Sequence, residues 1–375
     1  MDAVANAPAP AAAAVDKYLI EVVDERAALR ETPSVLWKSA VLRPRETGLW
    51  SAYAASPDDQ SAIVRIEDAY HLPAHGAVID LKGHLFANSL AEGATHGLGL
   101  EGLPGFRNKR GRLMLNAARD LPRLERASVF CGWPGQLNYA HFLLESMTAL
   151  AALDDVGALE RFRPLAPPLD GWRRQLVESY LGDRVGLLRQ AEAPIVRIGE
   201  AVFSTAMSGR TAAPLTALTL LRDRLLERAA AEERIKAVRR VYFVNTAQRR
   251  STAHKRFFTD LREQGFMIVD PTTLSPSEQI RLVARAYVIA GPTSAAMANV
   301  LFAPHGARVI EVQAGPPAGG WLKTLCHQLG HRWSALVCPP QESAAPLDNL
   351  YGGRIPEETL SVTDLAAAID QWAEA

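Results

Sequence analysis

The chain has 375 residues and a mass of 40.7 kDa, room for two domains of ordinary size. Its 41 Lys plus Arg balance 41 Asp plus Glu, so there is no overall basic field to gather nucleic acid. Hydrophobic residues at 48% and charged residues at 22% exclude a collagen, a coiled coil and wholesale disorder, and the three scattered cysteines Cys131, Cys326 and Cys338 exclude a disulfide scaffold or a zinc ribbon.

Residues 1–16 are mostly alanine and proline without a basic leader, and Asp16, Lys17, Glu21 and Asp24 precede any long apolar run. A disordered tail is expected, with no signal peptide or membrane span. The expected location is cytoplasmic, with peripheral docking on the inner membrane left open.

AIVRI at 62–66 and GAVIDL at 76–81, followed by the turn residues Lys82 and Gly83, predict strands of a sheet or hairpin. SVFCGW at 128–133 predicts another, broken by Pro134 and Gly135 before a helix from about Asn138 to Leu153. RPLAP, a helix after Asp170, and the run from PIVRI to AVFS extend an α/β pattern toward residue 205. The polar stretch 208–214 places a domain boundary near 210: a tail at 1–16, an α/β domain at 17–210, and a second domain at 211–375.

After a long amphipathic helix from Leu215, five apolar runs begin at Arg240, Phe266, Tyr287, Arg308 and Trp333. Helical patterns separate them: Phe257, Phe258 and Leu261 share one face, Ser275-Pro276 starts a second helix, and a third runs from Ser294 through Leu301. Near-continuous apolar strands joined by crossover helices require parallel pairing covered on both faces, a doubly wound Rossmann-like sheet.

In such a sheet ligands bind beyond the carboxyl ends of the strands. The first run enters Asn245-Thr246-Ala247-Gln248-Arg249-Arg250, with Lys255 following, a loop rich in donors and cations and without an acid. Guanidinium forks suit phosphate oxygens, although a solvated basic loop would read the same. The third run delivers Gly291, Thr293 and Ser294 to a helix start, where backbone amides suit a diphosphate; tight packing with Ser294 as a plain N-cap is the competing reading. Neither a Walker loop nor a dinucleotide glycine fingerprint is present. Glu311 ends the fourth run, placed either to accept ribose hydroxyls or to pair with an arginine of the basic loop.

In the first half, Trp133 and Asn138 lead into a helix that carries His141 and Glu145 four residues apart. Spacing of that kind puts both on one face as a candidate general base for an alcohol, or as an ordinary surface pair. His327 and His331 share the spacing but lack a zincin context, so a surface pair is expected.

The segments NYAHFLLESMTAL (138–150), RVYFVN with Arg249 and Arg250, EQGFMIVDP (263–271) and LSPSEQIRLVARAYVIAGPTSAAMANVLFAPHGARVIEV (274–312) resemble glycosyltransferase family 61. That group includes plant xylosyl- and arabinosyltransferases, animal O-linked N-acetylglucosaminyltransferases and bacterial capsular polysaccharide enzymes. The resemblance implies a GT-B-like architecture, two Rossmann-like domains facing across a cleft, and an inverting, metal-independent transfer from a nucleotide-activated sugar. A UDP-sugar is the expected donor, with no further cofactor and no metal; a saccharide or lipid-linked saccharide of capsular, exopolysaccharide or lipopolysaccharide synthesis is the expected acceptor. Glu145 or His141 would be the base, Asn245, Arg249, Arg250, Lys255, Gly291, Thr293, Ser294, Asn299 and Glu311 would serve the donor, and Trp133 and Asn138 would line the acceptor side. The chain departs from the family pattern in Asn245, where an arginine is usual, and in Thr293, where a histidine is usual. A sugar-nucleotide epimerase of the same architecture and a non-catalytic nucleotide-sugar-binding member are the alternative readings.

Overall fold

The computed structural model describes residues 18–22, 63–74, 76–80, 89, 106–109, 112–117, 121–131, 137–208, 215–230, 238–244, 253–314 and 321–338. These form a mixed α/β protein with three sheets. The smallest is antiparallel and joins β1 (Tyr18–Val22), β4 (Phe106–Lys109) and β5 (Arg112–Ala117), with β5 in the middle.

The second sheet takes β2 (Ile63–Leu72), β3 (Ala77–Asp80), β6 (Arg123–Val129), β7 (Pro164–Ala166), β8 (Arg189–Gln190) and β9 (Val196–Ser204) in the order β3-β2-β9-β6-β7-β8. Its strands β9, β6, β7 and β8 run parallel, whereas β2 pairs antiparallel with β9 on one side and with β3 on the other. The first half therefore carries a parallel α/β core extended by a hairpin. The run AIVRI opens β2 and pairs there with β9, the later residues Ala69 to Leu72 of β2 make the hairpin with β3, and the runs PIVRI and AVFS fuse into the single strand β9.

The third sheet is parallel throughout: β10 (Arg240–Phe243), β11 (Phe266–Val269), β12 (Val288–Pro292), β13 (Arg308–Ala314) and β14 (Arg332–Cys338), in the order β11-β10-β12-β13-β14. All five expected strands are present. Alternation along each strand sends Val241, Phe243, Ile289 and Val309 into one apolar cluster and Tyr242, Val244, Ala290 and Ile310 into another. Phe257 and Leu261 cover the second cluster, with Tyr242 edge-on to Phe257 at 5.5 Å between ring centroids. The order places its reversal between β10 and β12, the point where a crevice opens at the strand tips of a doubly wound sheet.

The helices are α1 (Tyr139–His141) and α2 (Met147–Asp155), α3 (Gly171–Leu181), α4 (Leu215–Ala230), α5 (Ala253–Glu263), α6 (Pro276–Val283) and α7 (Trp321–Gln328). Ser275 starts α6 as expected: its hydroxyl accepts from the Glu278 amide, the Glu278 carboxylate accepts from the Ser275 amide, and Pro276 fills the first turn. The third expected helix, by contrast, is a 3₁₀ segment, Ala295–Phe302.

Between the two larger sheets α4 packs on α2, α3 and α6, and α1 packs on Ala295–Phe302. One continuous apolar cluster consequently includes Val202 and Phe203 of β9 as well as Ile289 and Val309 of the parallel sheet. Asp154 pins the same layer. It accepts from Tyr180 at 3.0 Å and from both Arg184 nitrogens at 2.7 Å, and it also pairs with Arg224 of α4. Burial alone would raise its carboxyl; the Arg184 hydrogen bonds and the Arg224 charge outweigh that and hold it below the usual range.

His331 corrects one expectation. Rather than pairing with His327 at the surface, it is 9% exposed and bonds through Nε2 to the Val300 carbonyl at 3.0 Å. A buried ring of this kind resists charging, and its pKa is lowered to about 4. The i,i+4 rule assumes a helix, and α7 ends at Gln328, so the intervening turn carries His331 inward. No helix among the described residues is long and apolar enough to cross a membrane.

Candidate functional site

The segment carrying His141 and Glu145 is helical, but not uniformly so. Asn138 caps it, its side chain accepting from the Ala140 amide at 2.9 Å and the His141 amide at 3.4 Å. After α1 comes a single π-turn, Phe142–Ser146, in which the Met147 amide reaches back to the Phe142 carbonyl. Such turns insert an extra residue and recur at functional sites. Phe142, Leu143 and Met147 enter the core, and Glu145 is buried with them rather than lying at the surface.

His141 Nδ1 lies 2.6 Å from Glu145 Oε1, with the histidine side chain 29% exposed and the glutamate side chain 6% exposed. A carboxylate accepts, so Nδ1 carries the hydrogen and Nε2 is the acceptor nitrogen of the neutral ring. The buried acid thereby sets the tautomer of the half-buried imidazole. Of the two candidates for base, His141 has the more exposed side chain, and Glu145 lies buried against its Nδ1.

At the switch point, Thr293 follows β12, its amide donating to the Val312 carbonyl at 3.1 Å. Its hydroxyl donates to Glu311 Oε1 at 2.7 Å, while Trp333 Nε1 donates to Glu311 Oε2 at 3.0 Å. Glu311 is 1% exposed. The acid is turned inward, where its oxygens hold Thr293 and Trp333; the arginines of the basic loop lie outside the described residues. Ser294 opens the 3₁₀ segment without a side-chain capping bond, so its competing reading as a plain N-cap does not hold.

Gly291 is needed for a reason other than ligand approach. A Cβ there would stand 2.9 Å from the Phe243 carbonyl oxygen and 3.3 Å from Met297 Sδ, so the close approach it permits is to the neighbouring strand and helix. Asn299 also leaves the donor group, being 0% exposed and bonded to Tyr139, Gln279 and Ala296. Its partner Tyr139 is 160 residues away in sequence, which no local pattern reveals. Trp133, Asn245, Arg249 and Arg250 lie outside the described residues; Lys255 falls within α5, with its side chain outside them. No group of three or more His, Cys, Asp or Glu converges among the described residues.

The structure thus brings the turn bearing His141 against the 3₁₀ segment that follows Thr293 and Ser294, by way of α1 and Tyr139. The His141–Glu145 pair and the strand-tip turn of Thr293 and Ser294 stand on adjoining elements. Residues 139–310, from the turn of His141 into β13, match the family described as Glycosyltransferase 61. A search of the curated proteins found no match.

Proposed function

We propose, on the premise that this chain is a glycosyltransferase of family 61, that it transfers a sugar with inversion from a UDP-sugar to a saccharide hydroxyl, without a metal, using His141 as base. A glycosyltransferase takes a sugar donor and a saccharide acceptor; the finer terms of that reaction are the proposal. The observation that carries it is the 2.6 Å contact between His141 Nδ1 and the buried Glu145 carboxylate.

In the proposed step His141 Nε2 removes the proton of the acceptor hydroxyl as its oxygen attacks the anomeric carbon. The bond from that carbon to the diphosphate oxygen breaks, and the electron pair leaves with UDP. Attack from the face opposite the leaving group inverts the anomeric centre. Glu145 stabilises the imidazolium that forms, and its burial strengthens that interaction relative to water. Arg249, Arg250 and Lys255 answer the charge developing on the diphosphate, and Ser294 with the amides at the start of Ala295–Phe302 completes the cradle. Thr293, held by Glu311, fixes the turn from which Ser294 extends.

A GT-B-like arrangement fits this division of labour, with residues 17–210 on the acceptor side and 211–375 on the donor side. Asn138 and Trp133 border the acceptor entrance in this reading, and a cytoplasmic setting in capsular, exopolysaccharide or lipopolysaccharide synthesis suits a nucleotide-activated donor. Release of UDP from UDP-xylose, UDP-arabinose and UDP-N-acetylglucosamine, with and without saccharide acceptors, tests it. Acceptor-dependent release that His141→Ala abolishes, giving a product of inverted anomeric configuration, is expected. Retention of configuration, or an undiminished His141→Ala rate, refutes the assignment.

A further inference from the structure

The hydrogen bonds that lead away from Tyr139 form a directed chain whose every proton is assigned by its far end. Gln279 Nε2 donates to the carbonyls of Pro271 at 2.9 Å and Leu274 at 3.2 Å, groups that only accept. Its Oε1 must then face Asn299, whose Nδ2 donates to it at 2.8 Å and to the Ala296 carbonyl at 3.0 Å. With both amide protons used, Asn299 presents Oδ1 as an acceptor, and the Tyr139 hydroxyl donates to it at 2.7 Å. Neither amide can flip without setting like groups against each other. Burial pushes the Tyr139 phenol well up, the Asn299 bond opposing this, so the hydroxyl stays a donor.

The two ends of this chain belong to different parts of the site. Tyr139 stands two residues before His141 in the same turn, its ring packed on Trp172 at 5.5 Å, and Trp172 also meets Phe142 edge-on at 5.3 Å. Asn299 sits in Ala295–Phe302, the segment that begins beside Ser294. We propose that Tyr139, Asn299 and Gln279 are positioning residues that set the base-bearing turn in register with the donor-side loop. The inference rests on the reading of His141 as base and adds to it the device that fixes where the base stands. A hydrogen bond is directional where apolar packing is not, so this bridge defines one seating of α1 on the 3₁₀ segment. Small displacements of a catalytic group cost large factors in rate, on the order of 100-fold for 1 Å.

Tyr139→Phe keeps the ring and deletes one oxygen. In the full chain it is expected to lower kcat for UDP release, from whichever of the three UDP-sugars turns over fastest, by about tenfold or more. UDP affinity by calorimetry stays within about twofold, and the acid limb of the kcat pH profile stays in place, because the titrating base is not Tyr139. Gln279→Met breaks the far end without touching the turn, and is expected to lower kcat in the same direction. Hydrogen exchange needs no substrate: the amides of 139–146 are expected to exchange faster in both variants, those of β12 and β13 unchanged. A Tyr139→Phe protein that melts lower yet turns over and exchanges like the wild type overturns the proposal. A fall in UDP affinity matching the fall in kcat also overturns it, since the bridge would then belong to the donor site. Failure of the base reading looks different: His141→Ala retains turnover, and a kcat loss on adding Tyr139→Phe to that variant rules out action through His141.

Discussion

Replacing Glu145 by glutamine tests the chemistry at the point where geometry assigns it most sharply. The substitution keeps shape and, by turning its amide oxygen toward His141 Nδ1, keeps the tautomer; what it removes is one buried negative charge 2.6 Å from the ring. A hydrogen bond to a charged group contributes about 1.5–3 kcal/mol, and this one matters most once the imidazolium has formed. Loss of that differential alone lowers kcat by roughly 10- to 100-fold, since 1.36 kcal/mol is a factor of ten. If the amide nitrogen faces the ring instead, the tautomer inverts and Nε2 no longer accepts, and the loss approaches the roughly 10⁴-fold seen when the acid of a serine-protease triad becomes an amide. Steady-state UDP release, with acceptor saturating, reads the effect; UDP affinity should not move. Groups acting as one unit are non-additive, so the double variant His141→Ala with Glu145→Gln should be no slower than His141→Ala alone. A Glu145→Gln rate within threefold of wild type, or losses in the two single variants that simply multiply, would refute the pairing.

Arg249→Ala combined with Arg250→Ala should weaken UDP binding by tenfold or more, through loss of charge-assisted bonds worth about 1.5–3 kcal/mol each; unchanged affinity by calorimetry would remove them from the donor site. Asp154→Asn leaves Arg184 and Arg224 without their buried counter-charge and should cost about 3–5 kcal/mol in urea unfolding while sparing UDP affinity. Gly291→Ala sets a methyl 2.9 Å from a backbone oxygen that its strand cannot move, and a loss of about 1–3 kcal/mol is expected; wild-type stability would show that β12 can shift. His331 titrates near 6.5 when unfolded and near 4 when folded, so the unfolded chain binds the extra proton between those values. Stability from this group is complete above pH 6.5 and lost as pH falls toward 4, by up to about 3 kcal/mol. Urea midpoints across that window should show a slope that His331→Asn removes.

The parallel strands, the capped start at Ser275 and the i,i+4 pair His141 and Glu145 were legible in the order of residues. Each is a local pattern whose partners lie within a turn or along one strand. Residue types and spacing alone therefore specify them. Which partner a polar group takes when that partner is remote in sequence follows instead from how the elements pack. Glu311 meets Trp333 because β13 pairs with β14, Asn299 meets Tyr139 because α1 packs on the 3₁₀ segment, and Gly291 is crowded because β12 pairs with β10. The π-turn at 142–146 carries no sequence signature either, although it lies in the segment whose helical spacing was plain. Spacing fixes which face of an element a side chain takes, whereas the neighbour on that face is set by strand order and helix packing. For that reason the site's chemistry could be read before its wiring.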